Sequence, residues 1–202
     1  MAKLYFSYAA MNAGKSTILL QASHNYRERG MKTLLFTAAL DDRAGLGVIA
    51  SRIGVSEQAC LFGPEDDLFT QIAQAHARQA LSCVFFDEAQ FLTPDQVWQL
   101  ARVADRLNIP VMCYGLRTDF QGKLFPGSAE LLAIADTLRE IRTICHCGAK
   151  ATMVIRLGAD GTPLVEGEQI DIGGNDKYVS LCRPHWEEET GRYRPEDKNH
   201  ER

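Results

Sequence analysis

Residues 4–16 read LYFSYAAMNAGKS: an apolar and aromatic run from Leu4 to Tyr8, then a short loop closed by Gly14, Lys15 and Ser16. The run suits a buried strand. The stretch from Thr17 to Arg29 has helical composition, with Gly30 placed to stop it. Strand, loop and helix in this order fit the pattern G-x-x-x-x-G-K-[ST] over Ala9, Ala10, Met11, Asn12, Ala13, Gly14, Lys15 and Ser16, with Ala9 where the first glycine belongs. The pattern has a mechanical basis. Loop N–H groups cradle a polyphosphate, Lys15 meets the β and γ phosphates of ATP, and Ser16 ligates Mg2+ at the helix N-terminus. Alanine is acceptable at the first position provided that its φ is not positive.

Working outward, Thr33 to Ala38 is a second buried strand, and Pro64 with Glu65, Asp66 and Asp67 opens a helix running to about Gln79. Cys83 to Asp87 is a third strand. Thr93 is an N-cap followed by Pro94, with Gln96 three residues after the cap, so a helix runs to about Asn108. A fourth strand occupies residues 111–115 and a helix residues 128–136. Continuous apolar strands alternating with helices predict an α/β fold, a P-loop (RecA-like) parallel sheet covered on both faces. The third strand ends in Asp87 and Glu88. At the carboxyl end of a strand beside the first one, Asp87 would bind magnesium and Glu88 would act as general base. Taken alone, two carboxylates ending a strand read equally well as a solvated strand end.

From about Arg142 the composition changes to cysteines, glycines and short polar runs. The sequence therefore divides into an ATP-binding domain over residues 1–141, a small domain over 142–190 and a disordered polar tail over 191–202. Cys145-x-Cys147 is followed after 34 residues by Cys182-x-x-His185. Two close pairs of soft or borderline ligands fit a closed, structural Zn2+ site, with His146 as a competing ligand and unligated cysteines as the plainer alternative. Cys60, Cys83 and Cys113 stand apart from this cluster.

Of 202 residues, 46% are hydrophobic and 24% charged, the balance of a globular protein. A net charge of -4, from 22 basic and 26 acidic side chains, supplies no field for holding a nucleic-acid backbone. The apolar N-terminal run is broken too early for a signal peptide, and no uncharged stretch reaches the roughly 18 residues of a membrane span. A cytoplasmic location is expected.

The segments MNAGKS, Asp41-x-Arg43, FDEAQF, YGLRTDF, TICHCGAKA and IGGNDKYVSLCRPH, in this order over about residues 1–190, resemble the tetrameric, zinc-containing thymidine kinases of many bacteria and of the animal cytosol. The resemblance implies that ATP and magnesium lie on Ala9 to Ser16, with Asp87, Glu88, Ala89, Gln90 and Arg43 completing the phosphate side. It implies that Glu88 takes the proton from the nucleoside 5'-hydroxyl. It places the base under a lasso of Gln169, Ile170, Asp171, Ile172 and Gly173, with Met11, Leu116, Phe120, Phe125 and Tyr178 around base and sugar. Zinc on Cys145, Cys147, Cys182 and His185 would hold the small domain. The position of His185 is cysteine in some relatives, an exchange that zinc accepts. The implied product is the 5'-monophosphate of thymidine or deoxyuridine, made in pyrimidine salvage by a homotetramer.

The residues alone say less. Gly173 to Asp176 is turn chemistry that serves a hairpin or a ligand clamp. Phe91, Phe120, Phe125 and Tyr178 are core residues by default. Arg117 and Arg183 suit a phosphoryl-charge role and a structural role equally. A P-loop ATPase with a binding module, and a nucleotide-binding protein without turnover, both stay open.

Overall fold

The computed structural model describes residues 1–41, 45–170 and 177–192. The chain opens with β1 (Leu4–Ala9), α1 (Lys15–Glu28) and β2 (Thr33–Ala38). An antiparallel hairpin of β3 (Val48–Ala50) and β4 (Ser56–Gln58) follows, then β5 (Cys60–Phe62), α2 (Leu68–Arg78) and β6 (Cys83–Phe86). A single 3-10 turn (Ala89–Phe91) leads to α3 (Pro94–Leu107), β7 (Val111–Leu116), α4 (Pro126–Ile134) and β8 (Thr137–Glu140). The remainder is β9 (Thr143–Ile144), β10 (Lys150–Ala151), β11 (Met153–Leu157), β12 (Pro163–Leu164), β13 (Tyr178–Leu181) and α5 (Arg183–Thr190).

Six strands form one sheet in the order β5-β2-β6-β7-β1-β8, with every neighbouring pair parallel. Strand alternation sends Val84 and Phe86 to one face and Cys83 and Phe85 to the other. On the first face they meet Leu68 and Ile72 of α2, Val97, Leu100 and Val103 of α3, and Leu131 of α4; on the second, Leu19 and Leu20 of α1. All of these side chains are almost completely buried. Burying one of them contributes roughly 1.5–3 kcal/mol, so each face is an extensive apolar seal. The continuous apolar strands are thus explained by helices on both sides.

The expected capping box is present: Gln96 N donates to Thr93 Oγ1 at 3.2 Å, and Thr93 N donates to Gln96 Oε1 at 3.1 Å. Other boundaries shift for identifiable reasons. The helix expected from Pro64 begins at Leu68, because Asp66 Oδ2 ties back Gly63 N at 2.7 Å in a turn and Asp67 is the true N-cap, accepting from Thr70 N at 3.0 Å. The helix expected over 128–136 begins at Pro126, whose fixed φ suits its first turn. The strand ending at Asp87 does not lie beside the strand that opens the chain: β7 pairs with both, through Val84↔Val111 and Leu4↔Val111, and separates them.

Past β8 the architecture turns antiparallel, with β9 paired to β10 and a three-stranded sheet β12-β11-β13. Its small core comprises Cys145, Ala151, Ile155, Leu181, Cys182 and Trp186. Hydrogen bonds from side chains to carbonyls link it to the larger part. Ser180 Oγ donates to Met11 O at 2.6 Å, and Arg117 Nη2 donates to Thr152 O at 3.2 Å, a structural use of Arg117. Gly191 and Arg192, expected to begin a disordered tail, are instead anchored. Gly191 N donates to Glu187 O, and the Arg192 guanidinium donates to Gln121 O and Val165 O. Residues 193–202 of that expected tail lie outside the described residues. No described helix is long and apolar enough to cross a membrane.

Candidate active site

A cavity of about 550 Å³ opens at the carboxyl ends of the main-sheet strands, where parallel sheets place their ligands. Met11, Asn12, Ala13, Gly14, Lys15, Ser16, Asp87, Glu88, Gln90, Leu116, Phe120, Phe125, Gln169, Ile170 and Tyr178 all line it. Ala9 and Ala89 are buried in the two core clusters and stay out of the lining, while Ala10 O accepts from Lys15 Nζ at 3.3 Å. Arg43, Asp171, Ile172 and Gly173 lie outside the described residues. A second cavity of about 520 Å³ near the end of α1 and β5 contains none of these groups, and its Arg27 and Glu57 are paired with each other.

The loop geometry follows from residue type. Ala9 ends β1 without a positive φ, which is why alanine serves there. The left-handed positions are Asn12 at φ 63°, a residue type that tolerates it, and Gly14 at φ 79°. Gly14 caps α1 without a side-chain bond, and the first turn of the helix carries no acidic residue. First-turn N–H groups lack intrahelical acceptors, so this helix end presents donors and a positive dipole to the cavity.

Asp87 follows β6 and is 4% exposed. Its Oδ1 accepts from Glu88 N at 3.1 Å, and the Ser16 hydroxyl also donates to its carboxylate. Burial foremost, and the neighbouring Glu88 carboxylate second, push the Asp87 carboxyl above its ordinary range, against the smaller pull of Ser16 and Lys15. Two carboxylates in this setting attract a cation, and oxygen donors from Asp87 and Ser16 are of the type that a hard divalent ion takes.

Glu88 has left-handed backbone (φ 52°, ψ 38°), an arrangement that costs a non-glycine residue about 1–2 kcal/mol and turns the chain from β6 into the 3-10 turn. Its carboxylate is held rather than loose, since Gln90 Nε2 donates to Glu88 Oε2 at 2.5 Å. Gln90, itself 2% exposed, accepts on Oε1 from Leu116 N at 2.9 Å. The amide therefore links the end of β7 to Glu88. Gly115 makes room for this link, because a Cβ there would come within 2.9 Å of both Gln90 N and Gln90 Oε1.

Cavity residues that the sequence reading passes over include Thr37, Ser51, Arg52, Asp119 and Val154. Thr37 and Asp119 follow the rule that strand carboxyl ends and the loops after them line the crevice. The hairpin residues Ser51 and Arg52 carry no such signal. Asp119 is buried and accepts from Gln121 N at 2.9 Å, Lys123 N at 2.8 Å and Gln169 Nε2 at 2.9 Å, so the Gln169 side chain is engaged by a carboxylate.

Away from the cavity, single donor atoms of Cys145, Cys147, Cys182 and His185 lie within 4.8 Å of one another. His185 Nδ1 is 3.4 Å from Cys145 Sγ and 3.3 Å from Cys182 Sγ, and the sulfurs of Cys147 and Cys182 are 3.9 Å apart. Three thiolates and an imidazole set tetrahedrally around zinc at the usual bond lengths would have S–S edges of about 3.8 Å and S–N edges of about 3.6 Å, so this donor set is close to ready for a metal ion. The competing His146 lies against the His185 ring, with centroids 4.3 Å apart, and is not part of the four-donor set.

A family model described as "Thymidine kinase" matches residues 2–186. A protein named "Thymidine kinase" from Agrobacterium fabrum is 68% identical over 188 residues, covering 93% of this chain and 97% of the relative. Those of the same name from Ruegeria pomeroyi and Mesorhizobium japonicum are each 66% identical, over 95% and 98% of this chain and 96% and 97% of the respective relatives. With near-complete coverage of both partners at such identity, the chain belongs to the thymidine kinase family.

Proposed function

We propose that this enzyme is a transferase that moves the γ-phosphoryl group of ATP to the 5'-hydroxyl of thymidine, with deoxyuridine as a second acceptor, in pyrimidine deoxynucleoside salvage. The observation that carries this reading is the meeting, in one cavity, of Lys15 and the α1 N-terminus, the Asp87–Glu88 pair and an apolar wall of Leu116, Phe120, Phe125 and Tyr178.

The phosphate chain of ATP would lie against residues 11–16, its charge met by Lys15 and the helix dipole. Asp87 and Ser16 would hold Mg2+, which neutralises charge on the β and γ phosphates when bound. Glu88, oriented by Gln90, accepts the proton of the 5'-hydroxyl. As that oxygen bonds to the γ-phosphorus, the bond to the bridging oxygen breaks and its electrons leave with ADP. The apolar wall would pack the base. Arg43 and the lasso residues 171–173 would complete the phosphate and base contacts. Residues 1–141 would serve as the ATP-binding domain and 142–190 as a module held by Zn2+ on Cys145, Cys147, Cys182 and His185. A cytoplasmic homotetramer fits the resemblance.

The decisive assay is transfer from labelled ATP with magnesium to a panel of nucleosides, beside a reaction lacking acceptor. Labelled monophosphate formed only with thymidine and its close pyrimidine analogues is the expected result. Hydrolysis without any nucleoside product would replace this reading with an ATPase.

A further inference from the structure

Phe120 lines the cavity, yet it is secured from behind by two side chains of the C-terminal part. Trp186 Nε1 donates to Phe120 O at 3.2 Å and to Val154 O at 3.0 Å, so one buried N–H joins two stretches of cavity wall from opposite parts of the molecule. The Arg156 guanidinium lies 4.0 Å above the Phe120 ring. Trp186 directly follows the metal-cluster residue His185 in the chain, and Phe120 belongs to the loop after β7. A continuous line of contacts thus runs from the four-donor cluster to the cavity.

Arg156 is only 4% exposed, and its Nε finds no hydrogen-bond partner among the described residues. Burying a charge with incomplete satisfaction is costly, and a Met or Leu would fill the same volume without that cost. Its contacts account for the guanidinium. Nη1 donates to Glu168 O at 2.9 Å, and Gly167 passes so close that a Cβ there would lie 2.5 Å from Nη2. The next residue, Gln169, faces the cavity and is bonded to Asp119. One planar cation therefore supports an aromatic ring on its face while its edge holds the strap of residues 167–169.

We infer that Trp186 and Arg156 are positioning residues for the nucleoside: they fix Phe120 and the strap of residues 167–169, and tie the width of that end of the cavity to the metal cluster. This inference rests on the kinase reading above. The contacts of both side chains go to Phe120, Val154 and Glu168, at the end of the cavity proposed for the nucleoside, so their loss should register on the nucleoside and not on ATP.

The test uses the full, metal-loaded chain. Trp186→Phe keeps an aromatic body and removes the N–H; Arg156→Lys keeps the charge and removes the planar fork. Each should raise KM for the nucleoside about tenfold with KM for ATP unchanged, the pattern expected when two carbonyls or a strap lose their donor. Metal content and Tm of each variant report whether the fold is intact. Trp98→Phe supplies a readout without turnover. The chain has two tryptophans, and Trp98 is on the exposed face of α3, bonded to Glu130, so Trp186 becomes the sole indole emitter. Its emission should change on nucleoside addition and stay unchanged with ATP alone.

Unchanged nucleoside KM in both variants, or equal rises for nucleoside and ATP, would overturn the inference. If either variant fails to fold, an unresponsive Trp186 emission at saturating nucleoside overturns it equally. A wild-type chain that phosphorylates no nucleoside would instead strike at the kinase reading, which separates the two failures.

Discussion

Lys15 and Asp87 follow β1 and β6, strands whose flanks are sealed on both faces by buried apolar side chains, whereas Tyr178 belongs to a region of short antiparallel strands, and Phe120, in the loop after β7, is held by side chains from that region. At the phosphate end, position follows from the sheet. Even Gln90 and Glu88, which are polar, hang from β6 and β7 and from a backbone turn that has one steric solution. At the other end, position depends on a few side-chain donors to carbonyls and on four residues that could hold a metal ion, around a core of six buried side chains. The difference teaches that one cavity can combine a wall stabilised by area with a wall stabilised by a handful of specific bonds.

The largest effect is expected from stripping the four-donor cluster of the metal ion proposed for it. Structural zinc can supply on the order of 10 kcal/mol to a small module, so chelation, or Cys182→Ser, should abolish hydrogen-exchange protection in β9 to β13 and α5 while β1, β6 and β7 keep theirs. Joint loss of protection in both regions would show that they form one cooperative unit. The next largest effect concerns chemistry confined to the rigid wall. Glu88→Gln should slow phosphoryl transfer by about a hundredfold or more with nucleotide affinity and Tm retained, measured by single-turnover transfer and titration calorimetry. Transfer at the wild-type rate would remove Glu88 as the base.

The smallest effect sharpens the comparison by locating stored instability in the stable wall. The folded protein holds the Asp87 proton beyond the pH at which the unfolded chain has released it, through burial first and Glu88 second. The unfolded state then binds fewer protons, so nucleotide-free protein should lose stability as pH rises from the ordinary carboxylate range toward neutrality. Asp87→Asn should flatten that slope and raise Tm near neutrality by about 2–4 °C while lowering turnover. Thermal melts at a series of pH values decide it, and a steeper slope in the variant would refute the assignment.

Legibility followed the same division. β1, β2, β6 and β7 are readable because strands buried on both faces must be apolar throughout, and the Thr93 cap is readable because its chemistry is local. The edge strands β5 and β8 escape notice: β5 has three residues, and β8, Thr137 to Glu140, has no fully buried side chain. An edge strand needs only one partner, so it leaves little trace in composition. The separation of β1 from β6 is not legible either, since strand order is set by crossovers and not by any local run. At the site, the loop of residues 9–16, the carboxylate pair and the four-donor cluster are carried by spacing. Gln90's hold on Glu88 and Trp186's two hydrogen bonds to the wall are not, because each joins atoms far apart in sequence or depends on a backbone turn that no residue type announces.

The place of β1 in the sheet has a consequence for how the polypeptide is made. Leu4 to Ala9 are synthesised well before their two neighbours, β7 and β8, which begin at residues 111 and 137. A nascent chain therefore carries an apolar strand with both edges unpaired while residues 10–110 are made, a hazard for association between chains on one message. The loop that follows cannot take its working shape before then. Chains terminated ahead of residue 111 should accumulate as aggregates or chaperone clients instead of as a small nucleotide-binding fragment, although they hold the whole phosphate-binding sequence.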